Sequence, residues 1–326
     1  MRCARLRLVL AALMALAFNS LAVAADKVRV VAQRTGTLAW ELDVVRHHGL
    51  DRKADLALEV VMLASPLAQK VALNGATADV IVADWIWVAR ERALGGKLLF
   101  YPYSSAVGAL MVPPGSKLKT LADLKDRKIG VGGGAIDKSW LLVRALAARQ
   151  GVVLTRDSAV SYGAPPLIGE KMRQREFDAA LNYWNFSATL RAEGYATLMD
   201  MTEVEKALGA KDAVAMLGYV FEESWAQADR GRVDRFLSVM KQAKAILARS
   251  DDEWLRIAPL VQAGDGRALE ALRDSYRAGI PKRTIAAEVE DAQTLFKVLV
   301  ESGGAELAGP ARRLDPQMFH QPQDGS

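Results

Sequence analysis

Residues Lys128 to Arg149 read KIGVGGGAIDKSWLLVRALAAR. Ile129 to Val131 make a short apolar strand, Gly132, Gly133 and Gly134 a turn, and the rest an amphipathic helix with Asp137, Lys138 and Ser139 on its first turn. Glycine lets the backbone adopt φ values that other residues avoid and lets a ligand come close. The first N–H groups of the helix have no internal partner and the dipole is positive there, so such a turn suits an anion or a polar ligand.

Gly130, Gly132 and Ala135 also fit the G-x-G-x-x-G/A pattern of dinucleotide-binding turns. A lone match is weak. It comes more than a hundred residues into other βα structure, and the acidic residue at about the right spacing, Asp157, follows a helix end rather than a second strand. No nucleotide cofactor is expected, and no other cofactor.

Working outward, the same strand-then-helix rhythm recurs. Val28 to Ala32, Ala57 to Leu63, the continuously apolar Asp79 to Ala83, and Leu98 to Tyr101 read as strands, with helices between them. Ser65-Pro66 supplies an N-cap and first-turn pair, and Thr120 with Asp123 resembles a capping box. After Pro113-Pro114-Gly115 the rhythm restarts, continuing through strands at Ala159 to Tyr162 and Asp178 to Tyr183. A strand near Ala215 to Phe221 is followed by an almost wholly helical remainder. Such alternation means a doubly wound α/β fold with a mostly parallel sheet, and the restart suggests two domains.

Arg2, Arg5 and Arg7 precede an apolar run from Leu8 to Phe18 and the small residues Ala22-Val23-Ala24, the features of a cleavable signal peptide over residues 1–25. The product would be exported to the periplasm as a soluble monomer. Its loss would lower the formal charge from +5 to +2, a balance that argues against a nucleic-acid partner. Cys3, the single cysteine, would be lost too, leaving no thiol nucleophile, disulfide or thiolate metal site. His47 and His48 are adjacent on a helix end and do not face each other, so no metal site is expected.

The order of signatures resembles the periplasmic substrate-binding proteins of ABC importers in the nitrate, sulfonate and taurine group, the SsuA/THI5-like family. The matching residues are Gln33 to Leu38, Ala72-Leu73-Asn74-Gly75 with Ala78-Asp79-Val80, Leu121 to Lys125 with Lys128 to Val131, Phe177 to Ala180 with Trp184, and Leu314 to Phe319 near the end. The resemblance implies a two-lobed type II clamshell. Lobe 1 would hold residues 26–110 and 217–326, and lobe 2 residues 111–216, joined by strands crossing near Gly108 to Met111 and Leu217 to Tyr219. It also implies a small-molecule ligand, transient docking on a membrane permease, and no catalysis.

Ligands of such folds bind outside the carboxyl ends of the strands. That selects Arg34, Thr35, Gly36 and Thr37 after the first strand, and Asp84 and Trp85 after the third. From the second lobe come Gly133, Gly134, Asp137 and Lys138, then Tyr162, and the polar-aromatic group Asn182, Trp184 and Asn185. Of Trp85 and Trp87, Trp85 is expected to line the cleft and the other to be core. Trp40 is read as packing. Lys138, Arg34 and Thr37 favour an anion, whereas Asp84 and Asp137 oppose one, so a small anionic or zwitterionic organic solute is expected. Two alternatives are a periplasmic scavenging protein without a permease and an enzyme on the same scaffold.

Overall fold

The computed structural model describes residues 25–33 and 36–323. The signal-peptide reading therefore falls, except for Ala25, outside the described residues. Among the described residues no helix is long and apolar enough to cross a membrane.

The chain opens with β1 (Asp26–Gln33), α1 (Leu38–His48), a short helical turn, β2 (Leu56–Leu63), α2 (Pro66–Asn74), β3 (Val80–Asp84), α3 (Trp85–Ala93) and β4 (Leu98–Ser104). Next come β5 (Gly108–Val112), β6 (Lys128–Gly132), α4 (Lys138–Arg149), β7 (Ala159–Gly163), α5 (Pro165–Arg173), β8 (Ala179–Tyr183), α6 (Trp184–Ala192), β9 (Ala196–Asp200) and α7 (Met201–Ala207). β10 (Leu217–Glu222) is followed by α8 (Arg230–Arg249), α9 (Asp251–Val261), α10 (Gly266–Ala278) and α11 (Ile285–Ala308). The local signals act as read: Ser65 accepts from the Ala68 N–H at 3.2 Å, and Thr120 and Asp123 bond to each other's backbone.

Two five-stranded sheets result, ordered β2-β1-β3-β10-β4 and β7-β6-β8-β5-β9. β1 runs parallel to β2 and β3, and β6 parallel to β7 and β8; β10 and β5 are the antiparallel members. Each sheet thus has four of its five strands running one way and is flanked by helices, as the α/β reading of the sequence requires. Val80 and Ile81 in β3, and every residue of β5, are buried, as central strands covered on both faces require.

The crossing strands differ from the expectation. β5 pairs with β8 and β9 and β10 with β3 and β4, so neither is shared between sheets. The chain passes between the sheets in the short stretches before them, residues 105–107 and 213–216. Side chains hold the second stretch: Glu205 accepts from the Val214 N–H at 3.1 Å and Glu288 from the Ala215 N–H at 2.9 Å. β9 and α7 were not anticipated by the sequence reading; Asp200 and Glu203 form a capping box between them.

The C-terminal helices touch both sheets' surroundings. α8 packs on α1, α10 on α6, and α11 on both α3 and α4. Beneath the first sheet's carboxyl edge, Glu41 is wholly buried and accepts from Tyr219 at 2.9 Å, Tyr276 at 2.7 Å and the Lys244 ammonium. A buried carboxylate needs such compensation, and three partners on three elements fix α1 against β10, α8 and α10.

Candidate functional site between the two sheets

Asp84 ends β3 and caps α3, its Oδ1 accepting from the Trp87 N–H at 2.9 Å. One oxygen is therefore fixed by local structure, and the other is directed at the opposite sheet. Lys138, the first residue of α4, places its Nζ 3.2 Å from Asp84 Oδ2, and the Lys70 Nζ approaches the same oxygen to 4.0 Å. Burial would push the Asp84 carboxyl up, but Lys138 and Lys70 outweigh it and hold it below the usual range. Burial likewise works against the Lys138 ammonium, yet Asp84 and Asp137 keep its pKa above the ordinary lysine value. Lys70, less well compensated, is lowered by burial. An ionised pair thus spans the gap between the sheets.

The glycine turn presents α4 to that gap. Asp137 caps the helix, accepting from the Trp140 N–H at 3.2 Å, and its burial pushes its carboxyl up. Gly133 has φ +106°, a left-handed conformation that favours glycine, and its N–H is taken by the Gly163 carbonyl at 2.8 Å. The dinucleotide-like spacing has a packing origin. A Cβ at Gly130 would stand 2.6 Å from the Phe177 ring, and one at Gly132 2.5 Å from Asn182 Oδ1.

A cavity of about 280 Å³ opens around the bridge. Lys70 of α2, Asp84, Trp87 and Arg90 of α3, and Glu306 and Leu307 of α11 line one side; Gly133, Gly134, Ile136, Asp137, Lys138 and Tyr183 line the other. Lys70 also stands 4.7 Å over the Trp87 ring, which leaves the indole as an apolar wall under a cation. A second cavity of about 280 Å³, beside Arg29, Asp79, Glu222 and Trp225, lies at the amino edge of the first sheet. There Arg29 is already bonded twice to Asp79, at 3.1 and 2.5 Å.

The tryptophans exchange the places expected of them. Trp85 is fully buried against Phe296 of α11, and Trp87 faces the cavity. Positions two apart on a helix point to different faces, and α3 rolls so that α11 covers Trp85. Asn182 is buried and occupied locally: Oδ1 accepts from the Tyr183 N–H and Nδ2 donates to the Pro165 carbonyl, both at 2.9 Å, so it shapes the turn rather than facing the cavity. Trp184 packs edge-on to Trp40 with centroids 6.0 Å apart, joining Tyr276, and its backbone N–H donates to the Val107 carbonyl at 3.1 Å. It belongs to an aromatic contact between α6 and the first sheet's helices.

Tyr162 is exposed and accepts from the Trp140 indole N–H at 3.1 Å, and Asn185 is half-buried on the first turn of α6. Thr37 bonds to the Tyr103 hydroxyl at 2.8 Å, Gly36 donates to the Gln33 carbonyl, and Arg34 and Thr35 lie outside the described residues. Of the residues singled out from sequence, Asp84, Gly133, Gly134, Asp137 and Lys138 meet at the cavity. Lys70, Trp87, Arg90 and Glu306 join them. Lys70 and Arg90 lie inside helices, where a lysine or arginine reads as solvated.

The NMT1/THI5-like family profile matches residues 45–253. The chain belongs to the NMT1/THI5-like family. Among solved structures, the periplasmic aliphatic sulphonate binding protein SsuA of Escherichia coli superposes with a TM-score of 0.70 at 18% identity, over 89% of this chain and 97% of that one. The alkanesulfonate-binding protein SsuA of Xanthomonas axonopodis pv. citri, bound to MOPS, gives 0.66 at 20% identity over 92% and 99%. The desulfurization enzyme DSZB gives 0.56 at 14% identity over 85% and 92%. At these identities the likeness establishes the shared fold of this NMT1/THI5-like chain. Comparison with curated protein sequences finds no significant match.

Proposed function

We propose that the protein is an exported solute-binding protein that captures a small zwitterionic or anionic organic solute between its lobes and delivers it to an ABC permease. The observation that carries this reading is the cavity walled from both sheets, with the Lys138–Asp84 pair across it. Lys70, Arg90 and Lys138 offer three cations, and Asp84, Asp137 and Glu306 offset them. A solute with an anionic head and a cationic or polar end would match both signs, while Trp87 supplies an apolar wall. The sulfonate ligands named for the two SsuA proteins agree with that chemistry.

A ligand touching both lobes biases a hinge equilibrium toward the closed form, which is the form a permease would read. The lobes in this reading are residues 26–107 with 217–323, and 108–216, the boundary moved from 110 to 107 because β5 pairs within the second sheet. The protein would work as a monomer in the periplasm, after loss of residues 1–25.

A thermal-shift panel of alkanesulfonates, aminosulfonates, nitrate, amino acids and aromatic acids tests the ligand class. A true ligand at a hundredfold excess over its Kd stabilises by about 2.7 kcal/mol. The expected hit is a sulfonate or aminosulfonate; stabilisation by no member of the panel would contradict the reading. The likeness to DSZB motivates one further check, for turnover. Mass spectrometry of the hit after prolonged incubation should return it unchanged.

A further inference from the structure

His47 and His48 end α1, and their spacing alone suggested two solvated side chains. The fold adds a third group that spacing does not show. Glu253, on the first turn of α9, brings Oε2 to 3.2 Å from His48 Nε2, and one ligand atom from each of His47, His48 and Glu253 lies within 4.8 Å of the others. We propose that these three residues form a surface site for a divalent zinc-class ion.

Two imidazoles and one carboxylate are a donor set suited to zinc, and bonds of about 2.0–2.2 Å put neighbouring donors a little over 3 Å apart. The His48–Glu253 separation already meets that. His47 is exposed and its ring lies perpendicular to that of His48, with centroids 4.9 Å apart, so rotation about its side-chain bonds can bring its nitrogen in.

The carboxylate is prepared for single-oxygen ligation. Arg256 Nε and Nη2 hold Oε1 at 2.9 and 2.7 Å, leaving Oε2 to the histidine, and Asp43 at 2.6 Å balances the guanidinium charge. Such outer partners fix ligand orientation in metal sites. The C-terminal end of α1 carries the negative end of the helix dipole, which favours a cation. The ion would join α1 to α9 on the outside of the first lobe. Ten residues of helix, about 15 Å, separate it from the end of α1 nearest the cleft.

Isothermal titration of untagged, chelator-stripped protein with Zn²⁺ tests the site. One ion per chain is expected, with His47→Ala and His48→Ala each weakening binding roughly tenfold or more and Glu253→Gln weakening it too. Zn²⁺ should raise the Tm of the wild type and leave that of His47→Ala unchanged. Because His47 is exposed, its alanine variant tests the site even if the Glu253 variant folds poorly. No stoichiometric binding, or binding that neither histidine substitution moves, overturns the proposal.

Discussion

Trp85 and Trp87 stand two positions apart and serve different ends. Trp85 is fully buried against Phe296, and its indole N–H has no hydrogen-bond partner among the described residues; Trp87 walls the cavity under Lys70. Trp85→Ala should therefore cost about 3–5 kcal/mol in denaturant unfolding. Trp85→Phe should cost much less, because it also removes an unsatisfied buried donor. Trp87→Ala, at a side chain that is also buried, should cost stability too, and unlike Trp85→Phe it should weaken solute binding. The sequence shows that one indole must be core, but which one depends on how α3 rolls beneath α11, two hundred residues later. Asp84 was legible both as cap and as candidate, because its position at a strand end and helix start assigns one oxygen and frees the other.

At the scale of elements, the alternation of strands and helices was legible because buried central strands read as apolar runs and caps carry local signatures. β9 escaped because Ala196–Asp200 is a half-exposed edge strand with neither alternation nor a continuous apolar run. The crossover at residues 213–216 also depends on distant groups, namely Glu205 of α7 and Glu288 of α11. Burial, reinforced by Asp200, Glu288 and Asp291, pushes the Glu205 carboxyl from 4.5 up to about 8. A carboxyl raised on folding stabilises fully below its unfolded pKa, and that contribution is lost as pH rises through the folded one. Wild-type stability should accordingly fall between about pH 4.5 and 8 relative to Glu205→Gln, which keeps an acceptor for the Val214 N–H. Urea unfolding of both proteins across that range measures the difference; parallel profiles would contradict this account of the crossover.

At the scale of the molecule, the two halves are bridged by an ion pair, Lys138–Asp84, and by the aromatic contact of Trp184 with Trp40 and Tyr276. Removing the cross-cleft pair in Lys138→Met should loosen the unliganded molecule, seen as a larger radius of gyration in small-angle X-ray scattering. An unchanged radius would place the closing energy in the aromatic contact and the C-terminal helices instead. The glycine turn was legible as a ligand-facing feature from its strand–turn–helix pattern, but not its partners: Lys70, Arg90 and Glu306 reach the cavity from three separate helices that only the fold brings together.

The central claim is that a solute bound by this protein sits among Asp84, Trp87 and Lys138. Isothermal titration of the best solute from the thermal-shift panel tests it directly, using wild type, Trp87→Ala and Lys138→Met. Loss of a charge-assisted hydrogen bond predicts an affinity roughly 10- to 100-fold weaker in Lys138→Met, with Trp87→Ala weakened as well; unchanged affinity in both variants would contradict it.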